Sequence, residues 1–561
     1  MMIRKFLGCM GLVGLMCFVS CRKDTGITES EPRSTILGKQ LENPYSVENM
    51  RKAYASLKEK QEGQRVSYEA RLLRDSMDIQ LTDYYVRFLI ENDEQRNLLL
   101  GDSLNLSTVP LDVEMDQDEN GFFDPDTDID QAQWLYTSVP KEYSFHPHIT
   151  YEKLEDLFLF EESEADERLG TNGVSMNFLY DLEDEALLMT DNYEKVDDYD
   201  TQHTSNRRRR RVRPKGYIRV YNTQTRNLDP VVGVKVKTRR WFKWGKGWTN
   251  SQGYYRVNRS YRRSVRYTVV FKNTKGFKIW PSTVSVSSAR YKAGRHSKHG
   301  HNINFHTHSK GWRWSTVNNA TVKYFDYCEQ FGIGKPHSNL RIVANGKSGG
   351  GAAPMARRTW GWLGFRTNSD LISFFSKMTI SIPLNKLWIF TRLVLPDVIV
   401  YANSDQGTKH VFSVTFHELG HASHFRKVGS GYWVKYINYI ITYGKIDGTN
   451  PYGDGSGYNS GICGVGEMWG NYISALFFRE EFNLISVDFN RDWWWFDEEE
   501  GWFNPGFLKF IHGIYDISTA DIFSCLTKDT DTFEKLITKL KTKTIHDEQV
   551  DQAFNRYTDW P

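Results

Sequence analysis

The chain has 561 residues, of which 25% are charged and 14% aromatic, and its formal net charge is +3. One hydrophobic core rarely serves so long a chain, so we expect about three or four domains. The near balance of positive and negative charge excludes a general electrostatic attraction to nucleic acid or to membrane surfaces. Partners therefore have to be inferred from local sites, and no nucleic-acid partner is expected.

Residues 1–20 have the pattern of a signal peptide, with Arg4 and Lys5 followed by a short apolar run. The run ends in "FVSC", which resembles a bacterial lipobox. This resemblance implies that Cys21 carries a lipid and anchors a cell-envelope lipoprotein, either periplasmic or on the outer-membrane surface. An ordinary signal peptide cleaved nearby is the alternative, and in both cases we expect the chain to be exported. The polar residues 21–45 are typical of a tether between lipid and domain.

Cysteine usage does not indicate a disulfide framework. If the signal peptide is removed and Cys21 is lipidated, only Cys328, Cys463 and Cys525 remain. One bridge among these three stays open as an alternative.

Residues 46–200 mix helix-like and strand-like patterns and predict an N-terminal α+β region. Within it, the acidic stretch 116–124 surrounds Gly121 with the spacing of a calcium loop. The twelfth position is Thr127 rather than a bidentate glutamate, so an acidic surface loop is favoured over calcium binding.

An arginine run at 207–211 marks residues 201–215 as a basic linker. Residues 216–281 then alternate in hydrophobicity with period two, which predicts a small antiparallel β-sandwich. The stretches "PVVGVKV" and "WTNSQGYYRV", with Thr249, Gly253 and Tyr254, resemble the carboxypeptidase-regulatory or transthyretin-like domains of bacterial envelope proteins. The resemblance implies a non-catalytic module for spacing or binding.

Five histidines between residues 296 and 308 lack helical i, i+4 spacing and an accompanying acid, so no built metal site is expected there. An amphipathic helix follows at about residue 314, and a buried strand is predicted to end near residues 397–401.

The stretch "VFSVTFHELGHASHFRKVGSG", residues 411–431, predicts a helix capped by Ser404 or Asp405 and stopped at Gly429. His417 and His421 lie four positions apart, on one face of that helix, so both imidazoles can reach one tetrahedral zinc ion. Glu418 can lean over the open position as a general base, which is the HExxH arrangement of zinc peptidases.

A catalytic zinc site needs a third protein ligand. The metzincin pattern fails, because residue 424 is histidine and residue 427 is lysine, and His424 is expected only beside the metal ligands. A second predicted helix begins in "CGVGEMWGNYISALFFREEF" and carries Glu467.

An HExxH helix followed by a glutamate on a second helix resembles the gluzincin, or thermolysin-like, metallopeptidases. The resemblance implies that His417, His421 and Glu467 hold Zn²⁺, that Glu418 is the base, and that Asn471 takes the place of an acidic residue that orients a ligand histidine. This chain departs from the group in that asparagine and in a longer gap before Glu467. Asp447 or Asp454, in a segment that resembles aspzincins, is the alternative third ligand.

The last part of the chain predicts three short helices after residue 518. No spacing selects the residue that stabilises the oxyanion, for which His512, Tyr458 and Tyr472 are candidates. The sequence thus predicts a multidomain α+β protein with a mainly helical zinc metallopeptidase domain over residues 282–561. It would hydrolyse a protein or peptide substrate. The alternative is an envelope binding or assembly lipoprotein whose metallopeptidase-like domain is inactive, and the oligomeric state is open.

Overall fold

The computed structural model describes residues 40–61, 77–91, 93–113, 133–160, 176–193, 211–283, 287–359, 365, 367–378, 395–445, 450–483, 502–514 and 516–557. The predicted signal peptide with Cys21, the acidic stretch 116–124 and Asp447 lie outside these residues. The described part of the chain is a mixed α+β structure with several sheets and a helical C-terminal region, as the sequence predicts.

The N-terminal region packs helices on a small antiparallel sheet whose central strand is β1. Side chains alternate along this strand, so that Tyr85 enters one hydrophobic core while Val86 and Phe88 enter another on the opposite face. The elements are α1 (Val47–Gln61), β1 (Asp83–Ile90), α2 (Asp93–Gly101), β2 (Gln133–Pro140), β3 (Tyr151–Leu157) and α3 (Met176–Met189).

Nine short strands follow, in two sheets whose inward side chains share one core. The period-two burial of β6 and β9 explains why the alternating sequence forms half-buried strands here. The strands are β4 (Lys215–Tyr221), β5 (Leu228–Pro230), β6 (Val234–Arg240), β7 (Lys243–Trp248), β8 (Tyr254–Arg256), β9 (Val265–Asn273), β10 (Lys278–Trp280), β11 (Arg290–His296) and β12 (Ile303–Phe305).

The larger sheet continues across the predicted boundary at residue 281. Strand β10 pairs in parallel with β13 (Arg341–Asn345), which pairs in parallel with β15 (Val398–Tyr401). The two-residue strand β14 (Gly351–Ala352) is antiparallel to β15 and ends the sheet order on this side. The sandwich and the C-terminal region are therefore joined by backbone hydrogen bonds and by one shared core.

Helices cover this sheet and form the C-terminal region. They are α4 (Lys310–Gln330), α5 (Ala356–Thr359), α6 (Asn368–Lys377), α7 (Gly407–Val428), α8 (Ser430–Tyr443), α9 (Ser460–Phe482), α10 (Pro505–His512), α11 (Thr519–Cys525), α12 (Phe533–Lys541) and α13 (Asp547–Arg556). The last three are the predicted tail helices.

The predicted cap of α7 was wrong, because Ser404 and Asp405 form a separate 3₁₀ turn whose own cap is Asn403. The predicted stop was right, since Gly429 ends α7 with a φ of 84°, a conformation that glycine adopts without strain.

The N-terminal region is fastened to the sandwich by a buried ionic cluster. Glu183 of α3 accepts hydrogen bonds from Lys243 at 2.6 Å and from Arg262 at 3.3 Å. Trp241 and Phe242, which precede β7, lie in the N-terminal core. The three cysteines that follow the N-terminal segment are free and buried. Among the described residues, none of the helices combines the length and apolar character needed to cross a lipid bilayer.

Candidate metal centre

The centre lies where helices α7 and α9 cross at close range. Glycines face each other at the crossing, since a Cβ on Gly420 would lie 3.5 Å from the Cα of Gly470 and 2.5 Å from a methyl carbon of Ile473. A Cβ on Gly470 would meet His421 at 2.8 Å and His417 at 3.1 Å. Because glycine has no side chain, these two positions let the histidines of α7 reach the surface of α9.

Three potential ligands meet at this crossing, namely His417 and His421 from α7 and Glu467 from α9. The two Nε2 atoms are 3.0 Å apart. Each Nε2 lies 3.4 Å from an oxygen of Glu467. Asp454, the alternative ligand, instead accepts hydrogen bonds from the backbone N–H and hydroxyl of Ser456. The structure thus brings Glu467 rather than Asp454 to the histidine pair.

Two tyrosines hold the carboxylate of Glu467. Tyr436 of α8 donates its hydroxyl hydrogen to Oε1, and Tyr452, in the loop before α9, also hydrogen-bonds to Glu467. Burial by itself raises the pKa of Glu467, but the charges and hydrogen bonds of His421 and His417 outweigh burial and hold that pKa well below its usual range. The glutamate is thereby kept ionised in a buried position.

The pKa values of the two imidazoles depend on the same neighbours. Burial lowers the pKa of His417, but its hydrogen bonds to Glu467 and Asn471, together with the charges of Glu418 and Glu467, outweigh burial and raise it overall. The pKa of His421 is lowered, chiefly by burial. The side chain of His417 is 17% exposed and that of His421 only 3%, so the centre opens to solvent on the His417 side.

Glu418 lies beside the ligands and against the edge of the large sheet. A Cβ on Gly351 of β14 would lie 2.7 Å from Cγ and 2.8 Å from Oε1 of Glu418. Burial, together with the nearby charge of Glu467, raises the pKa of Glu418 to about 8 although His417 acts in the opposite direction. The carboxyl is therefore held where a proton is readily accepted and released near neutral pH.

His424 is buried on another side of α7, and its ring packs against Tyr432 and Trp433. Within the described residues neither of its ring nitrogens has a hydrogen-bond partner. Burial, with the nearby charges of His421 and Lys427, lowers its pKa to about 3, so the ring is neutral. His424 is a neighbour of the histidine pair and not a member of the ligand group.

These contacts do not select one of the three candidates for the residue that stabilises the oxyanion. Tyr472 and His512 hydrogen-bond to each other, and Tyr458 is 80% exposed. Among the earlier histidines, His296 and His301 stack with ring centroids 3.4 Å apart. In the described ranges, His417, His421 and Glu467 are the one group of three metal-ligating residues found within such short range.

Sequence reasoning missed Tyr436, Tyr452, Gly420 and Gly470. Gly420 lies inside the HExxH motif itself, and Gly470 lies three positions after Glu467. A search for small residues on the two predicted faces could have found the glycines, whereas no spacing in the chain indicates the tyrosines.

The chain was compared with known proteins. No family model matches it, and no curated protein matches it.

Proposed function

We propose that this protein is a zinc-dependent metallopeptidase that hydrolyses peptide bonds in a protein or peptide substrate. The observation that carries the proposal is the triangle of His417 Nε2, His421 Nε2 and the Glu467 carboxylate, with sides of 3.0, 3.4 and 3.4 Å. Ligand bonds of about 2.0–2.1 Å at a tetrahedral angle separate neighbouring ligand atoms by about 3.3 Å. The spacing therefore suits a single small ion better than a pair of hydrogen bonds.

The donor set also suits zinc. Two imidazole nitrogens and one carboxylate leave one position open, which is the composition of catalytic rather than structural zinc sites. Zinc, when bound there, would act as a Lewis acid and lower the pKa of a water molecule towards neutrality. The 17% exposure of the His417 side chain supports access to the open position from solvent.

The chain's own residues supply the proton transfers. Glu418, held against Gly351 beside the ligands, would accept a proton from the attacking water and pass it to the leaving amine. Burial raises the pKa of this carboxyl to about 8, which suits a group that exchanges protons in the neutral range. Tyr436 and Tyr452 would fix the orientation of Glu467 through their hydroxyl groups.

The position of β14 favours a peptide substrate. This strand ends the sheet order next to Glu418, and an extended peptide binds most simply by adding a strand to a sheet edge. Such pairing would lay the substrate backbone alongside the base.

The alternative function is an envelope binding or assembly lipoprotein with an inactive metallopeptidase-like domain. The presence of Glu418 at the centre favours the enzyme, because a binding protein has no need of a buried carboxyl next to the ligand triangle. Export and lipid attachment at Cys21 remain proposals drawn from the sequence alone.

Metal analysis of the purified protein and of two variants tests the proposal. We expect about one zinc per chain in the wild type, loss of zinc in His417→Ala, and zinc retention without peptide cleavage in Glu418→Gln. Cleavage is measured with a fluorogenic peptide library. Loss of the base should lower the rate by about 10²–10⁴-fold.

Glu534→Gln on α12 is the matched control, because it makes the same chemical change at a solvent-facing glutamate. It should keep both zinc and activity. A wild type that binds no zinc, or a Glu418→Gln variant that cleaves as fast as the control, would overturn the assignment.

A further inference from the structure

The loop between β13 and β14 brings the large sheet to the metal centre. Four of the six residues 346–351 are glycine, so the backbone of this loop has little conformational preference of its own. The strand β14 that follows is only two residues long, with Gly351 opposite Val400 and Ala352 opposite Ile399. So short a strand makes few backbone hydrogen bonds, and its position therefore depends on what holds the loop.

Two side chains at the start of α7 hold this loop by its backbone. The N–H of Gly349 donates a hydrogen bond to Oε1 of Gln406 at 3.1 Å, and the carbonyl of Gly349 accepts one from Nε2 of His410 at 2.9 Å. Nε2 of Gln406 lies 2.9 Å from the same ring nitrogen, so the two side chains also contact each other. We call Gln406 and His410 the clamp. It binds both polar backbone groups of one residue, as a neighbouring antiparallel strand would.

Further contacts fix the loop against strand β15 and the turn that follows it. Gly349 has a φ of 145°, which favours glycine, and a Cβ on this residue would lie 2.5 Å from the ring of Tyr401. The N–H of Tyr401 donates a hydrogen bond to the carbonyl of Gly350 at 2.9 Å. Nδ2 of Asn403 donates one to the hydroxyl of Ser348 at 2.8 Å. The loop is thus held by β15 as well as by the clamp.

The clamp and the proposed base belong to the same helix. His410 precedes His417 by seven positions, or about two helical turns, so the two residues lie on nearly the same face of α7. Glu418 follows His417 and meets β14 two residues after Gly349, where a Cβ on Gly351 would lie 2.7 Å from Cγ of Glu418. Since the strand and the base are already in close contact, a shift of the loop relative to α7 would change the distance between them.

We infer that Gln406 and His410 are positioning residues that hold β14 beside Glu418 before a peptide binds. The inference rests on the proposed function, in which an extended peptide adds a strand to β14. Among the described strands, β15 alone pairs with β14, so the other edge of β14 is where such a peptide would add. An edge that is already ordered loses less conformational entropy when a peptide pairs with it, so the clamp lowers the KM.

The double variant Gln406→Leu/His410→Leu of the full chain tests the inference, because leucine fills similar space without a polar atom. Amide hydrogen exchange of residues 349–352, measured without zinc, should become about tenfold faster or more. With zinc, the KM for a fluorogenic peptide should rise about tenfold, whereas kcat should change by less than about threefold, since a bound peptide orders the edge itself. Zinc affinity, measured by chelator competition, should stay unchanged because neither side chain belongs to the ligand group.

His410→Gln is the conservative variant, because the side-chain amide of glutamine can still donate a hydrogen bond to the carbonyl of Gly349. It should keep the exchange rates and the KM of the wild type. If the double variant does not fold, Gln406→Leu, which removes the acceptor for the Gly349 N–H, is measured in its place with the same expected direction. Thermal unfolding checks that each variant is folded.

The matched control is Gln252→Leu/His299→Leu, which makes the same two changes at exposed positions. The inference is overturned if the test variant exchanges residues 349–352 at the wild-type rate, if its zinc affinity falls together with its activity, or if the control raises the KM equally. Equal damage from His410→Gln and the double variant also overturns it. A wild type that neither binds zinc nor cleaves peptides would instead overturn the proposed function, and the exchange rates would still decide whether the clamp orders β14.

Discussion

Two imidazole nitrogens and a carboxylate lie within 3.4 Å of one another in a largely buried place. Polar groups in such surroundings are costly unless each has a partner, and the two oxygens of Glu467 serve the two imidazoles, one oxygen each. In the proposed metal site a shared cation would take the place of these hydrogen bonds, with the two Nε2 atoms 3.0 Å apart as neighbouring ligands. At the scale of single residues, the proposed metal site thus depends on the mutual distances of these three side chains.

The first prediction separates the two candidates for the third ligand. Glu467→Ala should weaken zinc binding by more than about 100-fold, because loss of a ligand costs more than the 10–100-fold typical of an outer hydrogen-bond partner. Asp454→Ala should leave zinc affinity unchanged, because its carboxylate serves only the turn at Ser456. Competition with a chromogenic chelator measures both affinities. A loss confined to Asp454→Ala would support the aspzincin-like alternative.

The histidine pair was predictable because four residues of α-helix return to the same face, so local geometry alone aligns His417 with His421. Glu467 could be proposed from the sequence because it lies on a second predicted helix, although no local rule brings the two helices together. Tyr436 and Tyr452 were not predictable. They come from α8 and from a loop, and only the packing of those segments brings their hydroxyl groups to Glu467.

The crossing of α7 and α9 depends on glycine at the contact. Side-chain volume normally sets the distance between packed helices at about 8–10 Å, and glycine allows closer approach. Gly420 and Gly470 are therefore the features of these two elements that decide whether the histidines of α7 can meet the glutamate of α9.

A second prediction follows for this crossing. In Gly470→Ala the added methyl would have to lie 2.8 Å from His421 and 3.1 Å from His417, so the helices or the rings must move. We expect a loss of about 1–3 kcal/mol in the free energy of unfolding and about tenfold weaker zinc binding. Thermal unfolding and chelator competition provide the two measurements.

Gly466→Ala is the control on the same helix. Its Cβ would come no closer than 3.4 Å to Tyr436, which is ordinary contact, and alanine favours a helix over glycine. This variant should be at least as stable as the wild type. Equal damage from the two substitutions would mean that the close approach at Gly470 is not what matters.

The described helices and strands agree with the sequence where the pattern is long and periodic, as in α4, α7, α9 and the three tail helices. The cap of α7 was misassigned because Ser404 and Asp405 also suit a 3₁₀ turn, and both structures place a polar side chain near free backbone N–H groups. Local chemistry does not choose between the two.

On the scale of the whole molecule, the ionic cluster around Glu183 links the N-terminal region to the sandwich. The side chains of Glu183, Lys243 and Arg262 are at most 8% exposed. Breaking a buried pair from one side leaves uncompensated charge, which typically costs about 3–5 kcal/mol. The cluster thereby fixes one region against the other.

A third prediction concerns this link and its dependence on pH. Burial raises the pKa of Glu183, but the charges of Lys243 and Arg262 outweigh burial and hold it far below the unfolded value of about 4.3. Its contribution to stability is therefore complete above about pH 4.3 and declines as pH falls towards the folded pKa. We expect Glu183→Gln to lower the free energy of unfolding by about 3–5 kcal/mol at pH 7 and by progressively less below pH 4. Hydrogen exchange of α3 amides and thermal unfolding measure the difference.

Glu59→Ala, at an exposed position of α1, is the control and should leave the unfolding midpoint unchanged at both pH values. A Glu183→Gln variant whose defect is as large at pH 3 as at pH 7 would contradict the electrostatic explanation. The defect would then have to come from lost hydrogen-bond geometry.

The sequence by itself determined the features that depend on near neighbours in the chain. These are the alternating strands, the long helices, the histidine pair with Glu418 beside it, and the mixed α+β class. Tertiary structure alone decided the rest. It joined β10 to β13 across the predicted boundary, set α7 against α9 through two glycines, and linked α3 to the sandwich through Glu183. The physical reason is that helix and strand periodicity act over a few residues, whereas contacts between distant segments depend on packing that no local spacing encodes.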